Sequence, residues 1–239
     1  MAALLLIPLA ILAGIIGGVV GTGSSLILLP VLVLLYGPQV AVPVMAIASV
    51  LGNVGRVIAW WRQIQWLPVL AYSATGVPGA VLGAHTLLTI PPAVVDVFLA
   101  VFFLSMVPVR RRIRHLHLRF RVWHLAVAGA VVGFLTGLVL STGPLSVPVF
   151  TGYGMSGGAF LGSEAASAVF LYAGKLATFG NAGTLTSAVV VRGLTIGVAL
   201  LIGSLCGRWI VQRLHARTFD VLIDGVLVAG AAGMLLALR

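Results

Sequence analysis

Acidic residues are almost missing from this chain: four Asp and Glu stand against 14 Lys and Arg in 239 residues. Charge of either sign is scarce, at 8% of positions, where a soluble domain carries about 25%. That scarcity excludes an ordinary water-facing surface. In a soluble protein the formal charge of +10 would suggest nucleic acid. Here Arg110, Arg111, Arg112, Arg114, Arg119 and Arg121 crowd between two apolar stretches, where basic residues set orientation and touch anionic headgroups. Membrane lipid is therefore an expected partner and nucleic acid is not. Cys206 is the only cysteine, which excludes an intrachain disulfide and a thiolate metal cluster and leaves a small packing residue. The five histidines have no ligand spacing, with His115 and His117 in the basic loop and His85 alone near a helix end, so neither a metal nor another cofactor is expected.

What the chain does have is apolar length, 61% of its residues being hydrophobic. About 20 apolar residues cross a hydrocarbon core of about 30 Å. Runs and breakers predict membrane segments at 3–21, 24–36, 40–61, 66–88, 91–109, 123–141, 143–153, 157–179, 186–207 and 218–238. Met1 to Leu12 carries no basic residue and runs on into apolar sequence, so it reads as the first membrane element and not as a leader. The expectation is an all-α, multi-pass protein of the cell membrane. Segments 24–36 and 143–153 are too short to cross comfortably, and each follows a break, at Gly21 to Ser25 and at Ser141 to Pro144. Both read as broken or re-entrant helices.

The two halves match in order. Gly14 and Gly18 align with Gly133 and Gly137, Pro30 with Pro148, and Ser49 with Ser167. Gly55-Arg56 aligns with Gly174-Lys175, and Gly79, Gly83 and Asp96 with Gly203, Gly207 and Asp220. A basic residue inside an apolar stretch and an acid opening the last helix are expensive coincidences. The chain is therefore expected to hold two homologous repeats, 1–109 and 123–239, joined by a basic cytoplasmic linker at 110–122. If each broken pair enters and leaves on one face, the repeats are inverted and Arg62, Arg110 to Arg121 and Arg208 to Arg217 all face the cytoplasm. The positive-inside tendency favours that arrangement.

The stretches AGIIGGVVGTGSSLILLPVLVLLYG (13–37), GVPGAVLGA (76–84) and the degenerate second copy AGAVVGFLTGLVLSTGPLSVPVF (128–150) resemble the TauE/SafE group of sulfite exporters, also called the toluene sulfonate uptake permease family. The resemblance covers nearly the whole chain. It implies carriage of small sulfur-containing or organic anions, such as sulfite and sulfonates, by a proton-linked or other secondary mechanism. The family usually has adjacent glycines after the first helix; Ser24 and Ser25 take some of those positions here, which bears on the substrate and not on the class.

Candidate site residues follow from the breaks and from the intramembrane charges. Gly23, Ser24 and Ser25 in the first half, and Ser141, Thr142 and Gly143 in the second, would present helix N-termini to an anion. The alternative is that these are small residues packed between helices. Arg56 and Lys175 are cations in apolar surroundings, each costing about 2.5–3.5 kcal/mol at a helix centre, so they either face a cavity or snorkel to an interface. Glu164 is the lone acid of its segment. Burial disfavours the charged carboxylate, which makes it a candidate proton-coupling residue, or else a structural acid bonded to a nearby Ser or Tyr. It aligns with Ala46, so the first half offers no matching acid. Asp96 and Asp220 read as helix-start acids, and Asp224 either as a partner for Arg213 or Arg217 or as an acid facing the bundle interior. The glycines at spacing four read as close-packing faces. The function expected is secondary transport of a small anion, sulfite or an organosulfonate, between the repeats. A membrane-embedded enzyme or a helix-packing scaffold is the alternative, and homo-oligomerisation is left open.

Overall fold

The computed structural model describes residues 2–21, 23–91, 120–139 and 143–210, with single positions 94, 97, 101, 105 and 108. Among the described residues eight α-helices follow one another: α1 (Ala2–Val20), α2 (Ser24–Tyr36), α3 (Pro38–Trp60), α4 (Trp66–Thr89), α5 (Val122–Val139), α6 (Gly143–Gly152), α7 (Gly157–Asn181) and α8 (Ser187–Ile210). A single 3-10 turn, Trp61–Gln63, links α3 to α4. Among the described residues there is no strand. The expected segments 91–109 and 218–238, and with them Asp96, Asp220 and Asp224, lie outside the described residues apart from the few single positions.

Helix is the only way an apolar stretch of this length satisfies its own backbone in lipid. Among the described residues three stretches are long and apolar enough to cross a membrane, Pro38–Gln63, Trp66–Thr89 and Ser187–Gly207, with shorter apolar helices at Leu6–Val19, Ile27–Tyr36 and Val122–Leu138. The outward faces carry Leu12, Ile58, Leu67, Leu82, Val131 and Val191, all exposed and all apolar. Such a surface fits acyl chains and not water. Cys206 lies on this outward surface. Read from the sequence as a small packing residue, it leaves the buried side of α8 to Gly203, Ser204 and Gly207.

Glycines set the helix directions. The Cα of Gly203 lies 3.0 Å from a Cβ built on Gly14, and the Cα of Gly18 lies 3.3 Å from one built on Gly207, so α1 and α8 run side by side in the same sense. Helices α4 and α5 do the same, with Gly133 against Gly76 and Gly137 against Gly83. A Cβ at Gly193 would meet Ile47 and one at Gly55 would meet Leu201, which makes α3 parallel to α8. Gly158 abuts Trp60 and Gln63 while Gly174 abuts Val77, so α7 starts where α3 stops and runs with α4. Thus α1, α3 and α8 run toward the face that holds Arg62, and α4, α5 and α7 run away from it.

The two short helices turn back. Helix α2 leads from the Gly21–Gly23 break to the start of α3, on the face where α1 began. Helix α6 returns to the Arg62 face, where Phe120 N donates to Gly152 O at 2.8 Å. Each broken pair enters and leaves on one face, and the two pairs enter from opposite faces. Arg62, Arg121 and the end of α8 with Arg208 consequently share one face; Arg110 to Arg119, Arg213 and Arg217 lie outside the described residues. Trp61, Trp66 and Trp123, 62%, 46% and 59% exposed, ring that same face. Indole at headgroup depth marks a membrane–water boundary.

Candidate functional site

The break between α1 and α2 is turned by Gly21 and Gly23, with φ of 82° and 120°. Side chains with a Cβ rarely adopt that region. No side chain caps the N-terminus of α2, so the first-turn N–H groups at Ser24 and Ser25 are left for whatever lies ahead of them. What lies ahead is a cavity of about 50 Å³.

All eight described helices contribute to its wall, α1 through Gly17. The first break supplies Gly21, Gly23, Ser24 and Ser25; α3 supplies Ser49, Asn53 and Arg56; α6 supplies Gly143 and Ser146. Glu164 and Tyr172 come from α7, Tyr72 from α4, Thr136 from α5 and Ser204 from α8. The structure therefore brings Gly23, Ser24, Ser25, Arg56, Gly143 and Glu164 onto one wall. Ser141 and Thr142 lie outside the described residues.

Arg56 and Glu164 are 7% and 6% exposed, and Nη1 of Arg56 donates to Oε2 of Glu164 at 2.7 Å. The same Nη1 donates to the Gly21 carbonyl at the end of α1, and Nη2 donates to Asn53 Oδ1 one turn back on α3. Ser146 Oγ donates to Oε1 of Glu164 at 2.9 Å. Both carboxylate oxygens are thus engaged from two other helices. A charge taken out of water is tolerable only with such a partner and with hydrogen bonds on its remaining atoms.

Lys175 is fully buried but does not line the cavity. Its Nζ donates to the Thr136 carbonyl in the last turn of α5 at 2.9 Å and lies 5.4 Å from the Phe179 ring centroid. The negative end of a helix dipole and an aromatic face both favour an ammonium. Neither cation snorkels. Among the described residues, no group of three or more His, Cys, Asp or Glu side chains is placed to hold a metal.

Sequence reasoning gave Glu164 a Ser or Tyr partner as one alternative, and Ser146 is such a partner, but it missed Arg56, 108 residues away. It also missed Asn53, Tyr72 and Thr136, and did not name Ser146 as the serine. Asn53 was findable, since it sits three residues before Arg56 on one helix face. Ser146 was findable too, because it falls in the first turn after the second break. Tyr72 and Thr136 carry no local signal, being ordinary residues of apolar helices.

No curated protein and no solved structure matches this chain. The family model described as Sulfite exporter TauE/SafE matches residues 6–234. That span takes in every wall residue of the cavity and, apart from the first residues of α1, every described helix, so the chain, an integral membrane protein, belongs to the TauE/SafE sulfite exporter family of transporters.

Proposed function

We propose that the chain is a secondary transporter of a small anion, sulfite or an organosulfonate, and that the anion sits in the cavity between the two halves. The observation that carries this reading is Arg56, among the described residues the one cation on the cavity wall, placed beside the uncapped N-terminus of α2 and the first turn of α6. The uncapped start of α2 offers N–H groups, the positive dipole ends of α2 and α6 attract an anion from two directions, and the guanidinium supplies a full charge with forked donors. At about 10–15 Å³ for each water-sized occupant, the cavity holds about four. Sulfite, one sulfur with three oxygens, is of that size. An organosulfonate fits with its headgroup inside and a short tail toward the apolar edge at Phe150 and Leu171.

The halves, 1–109 and 123–239, are read as inverted repeats joined by the basic linker 110–122. Supporting this is the pairing of α1 with α8 and of α5 with α4: Gly18 against Gly207 corresponds to Gly137 against Gly83 under the sequence alignment of the halves. The wall residues of the first break and of α6 then come from corresponding places, and rocking of one half against the other would open the site to each face in turn. Glu164, with no counterpart in the first half, is the proton-coupling residue. Lys175 contributes positive potential from behind the wall, through the Thr136 turn.

Ligand-induced thermal stabilisation of the purified protein tests the site, with sulfite, sulfate, thiosulfate and methanesulfonate as probes. A bound anion at a hundred times its Kd adds about 2.7 kcal/mol. Arg56→Gln removes one charge-assisted contact, worth about 1.5–3 kcal/mol, and should shift the midpoint for the best anion by about 10- to 150-fold. Wild-type affinity in a folded Arg56→Gln protein would place the anion elsewhere. Uptake into sealed vesicles by wild type, and its loss in the variant, separates a transporter from an enzyme or a scaffold.

A further inference from the structure

The charges that meet at the cavity cancel. Among the described residues Arg56 is the one cation on its wall and Glu164 the one carboxylate, and they are bonded to each other. Facing Glu164 are Arg56 from α3, Ser146 from α6, Tyr72 from α4 and Tyr172 from its own helix. The first break, α5 and α8 bring only glycine and hydroxyl groups to the wall. An anion entering this site would leave one negative charge uncompensated in a low-dielectric interior, which costs several kcal/mol even after relaxation. It would also compete for a donor already spent, since Nη1 of Arg56 serves both Glu164 and the Gly21 carbonyl.

One change removes both obstacles. A proton on Glu164 neutralises the carboxylate, releases Arg56 from it and restores electroneutrality when a singly charged anion arrives. The carboxyl keeps its bond from Ser146, so the acid is not stranded. We infer that the Glu164 carboxylate and the transported anion compete for Arg56, so that the site takes one proton with each monoanion and selects monoanions over dianions. This rests on the cavity being the anion site. It adds what the positions of the residues alone do not state: the coupling ion and the substrate are linked through one shared guanidinium, and a dianion such as sulfate would arrive with a charge the site has no second group to meet.

The test uses methanesulfonate, which stays a monoanion across the working range, so any pH dependence of binding belongs to the protein. Calorimetric titration of the wild-type protein in two buffers of different ionisation enthalpy counts the protons taken up per anion bound. The expected count is about one above the ionisation of Glu164, with the Kd rising about tenfold per pH unit in that range. Glu164→Gln, neutral at every pH, should bind methanesulfonate with no proton uptake and no pH dependence, while sulfate binds neither protein tightly. Methanesulfonate binding by wild type with no proton uptake at any pH would overturn the competition and leave the anion site standing. Wild-type proton uptake in a folded Glu164→Gln protein would also overturn it, by placing the proton elsewhere. Should that variant not fold, the wild-type proton count decides alone. Absence of binding by any of the four anions would instead refute the site itself.

Discussion

Nη1 of Arg56 and Oε2 of Glu164 lie 2.7 Å apart, tying α3 to α7 across 108 residues of sequence in the middle of the helix bundle. Removing either partner leaves the other as an uncompensated buried charge. Arg56→Met is therefore expected to destabilise the protein by about 3–5 kcal/mol, and the double variant with Glu164→Leu to return most of that loss while binding no anion. Thermal unfolding in detergent checks this. Equal losses in the single and the double variant would show that the pair is not the stabilising unit.

Packing of α4 on α5 depends on atoms that glycine lacks. A Cβ at Gly79 would come 2.6 Å from the Ala130 carbonyl oxygen, and one at Gly83 closer still to that of Phe134. Gly83→Val should cost at least the about 1–3 kcal/mol typical of overpacking. Gly180→Ala is the control: its Cβ would meet only Leu185 Cδ1, at 3.7 Å, and helix propensity predicts a gain of about 0.5–1 kcal/mol. A tolerated Gly83→Val would mean the two helices are not in contact there.

Topology is tested with cysteines placed singly on a background lacking Cys206, which is itself exposed. Positions Arg62 and Arg121 are expected to react with an impermeant thiol reagent only from the cytoplasmic side, and Gln39 and Asn181 only from the other. Labelling of Arg62→Cys and Arg121→Cys from opposite sides would break the inverted arrangement.

Lys175 should matter less to the anion than Arg56 does, because it stands behind Thr136 and not on the wall. Lys175→Gln is expected to weaken anion binding, with a shift smaller than that of Arg56→Gln. An effect larger than that of Arg56→Gln, at normal thermal stability, would move the centre of the site toward α5.

The helix ends in the structure fall within about three residues of those expected from apolar runs and breakers, as at 24–36 and Ser24–Tyr36 or 66–88 and Trp66–Thr89. That much was legible because lipid penalises every unpaired backbone group, so segment length and Gly or Pro breaks write the helices directly into the chain. The two breaks, the buried cations and the lone intramembrane acid were legible for the same reason: each is expensive where it sits, and expense shows in sequence. Whether Arg56 and Lys175 faced inward or reached the interface was not legible, since a helix carries a side chain equally well on either face. Only packing decided it, by setting α3 against α7 and α8 through Gly55, Gly162 and Gly197. The same packing gave Glu164 its partner from another helix and placed Arg56 on the cavity wall with Lys175 behind it. Sequence by itself determined which residues could not lie in lipid uncompensated, because solvation is a property of the residue and its segment. Tertiary structure alone decided what compensates each of them, because a charge partner is fixed by distance in space, and no spacing along the chain encodes a contact between helices 108 residues apart.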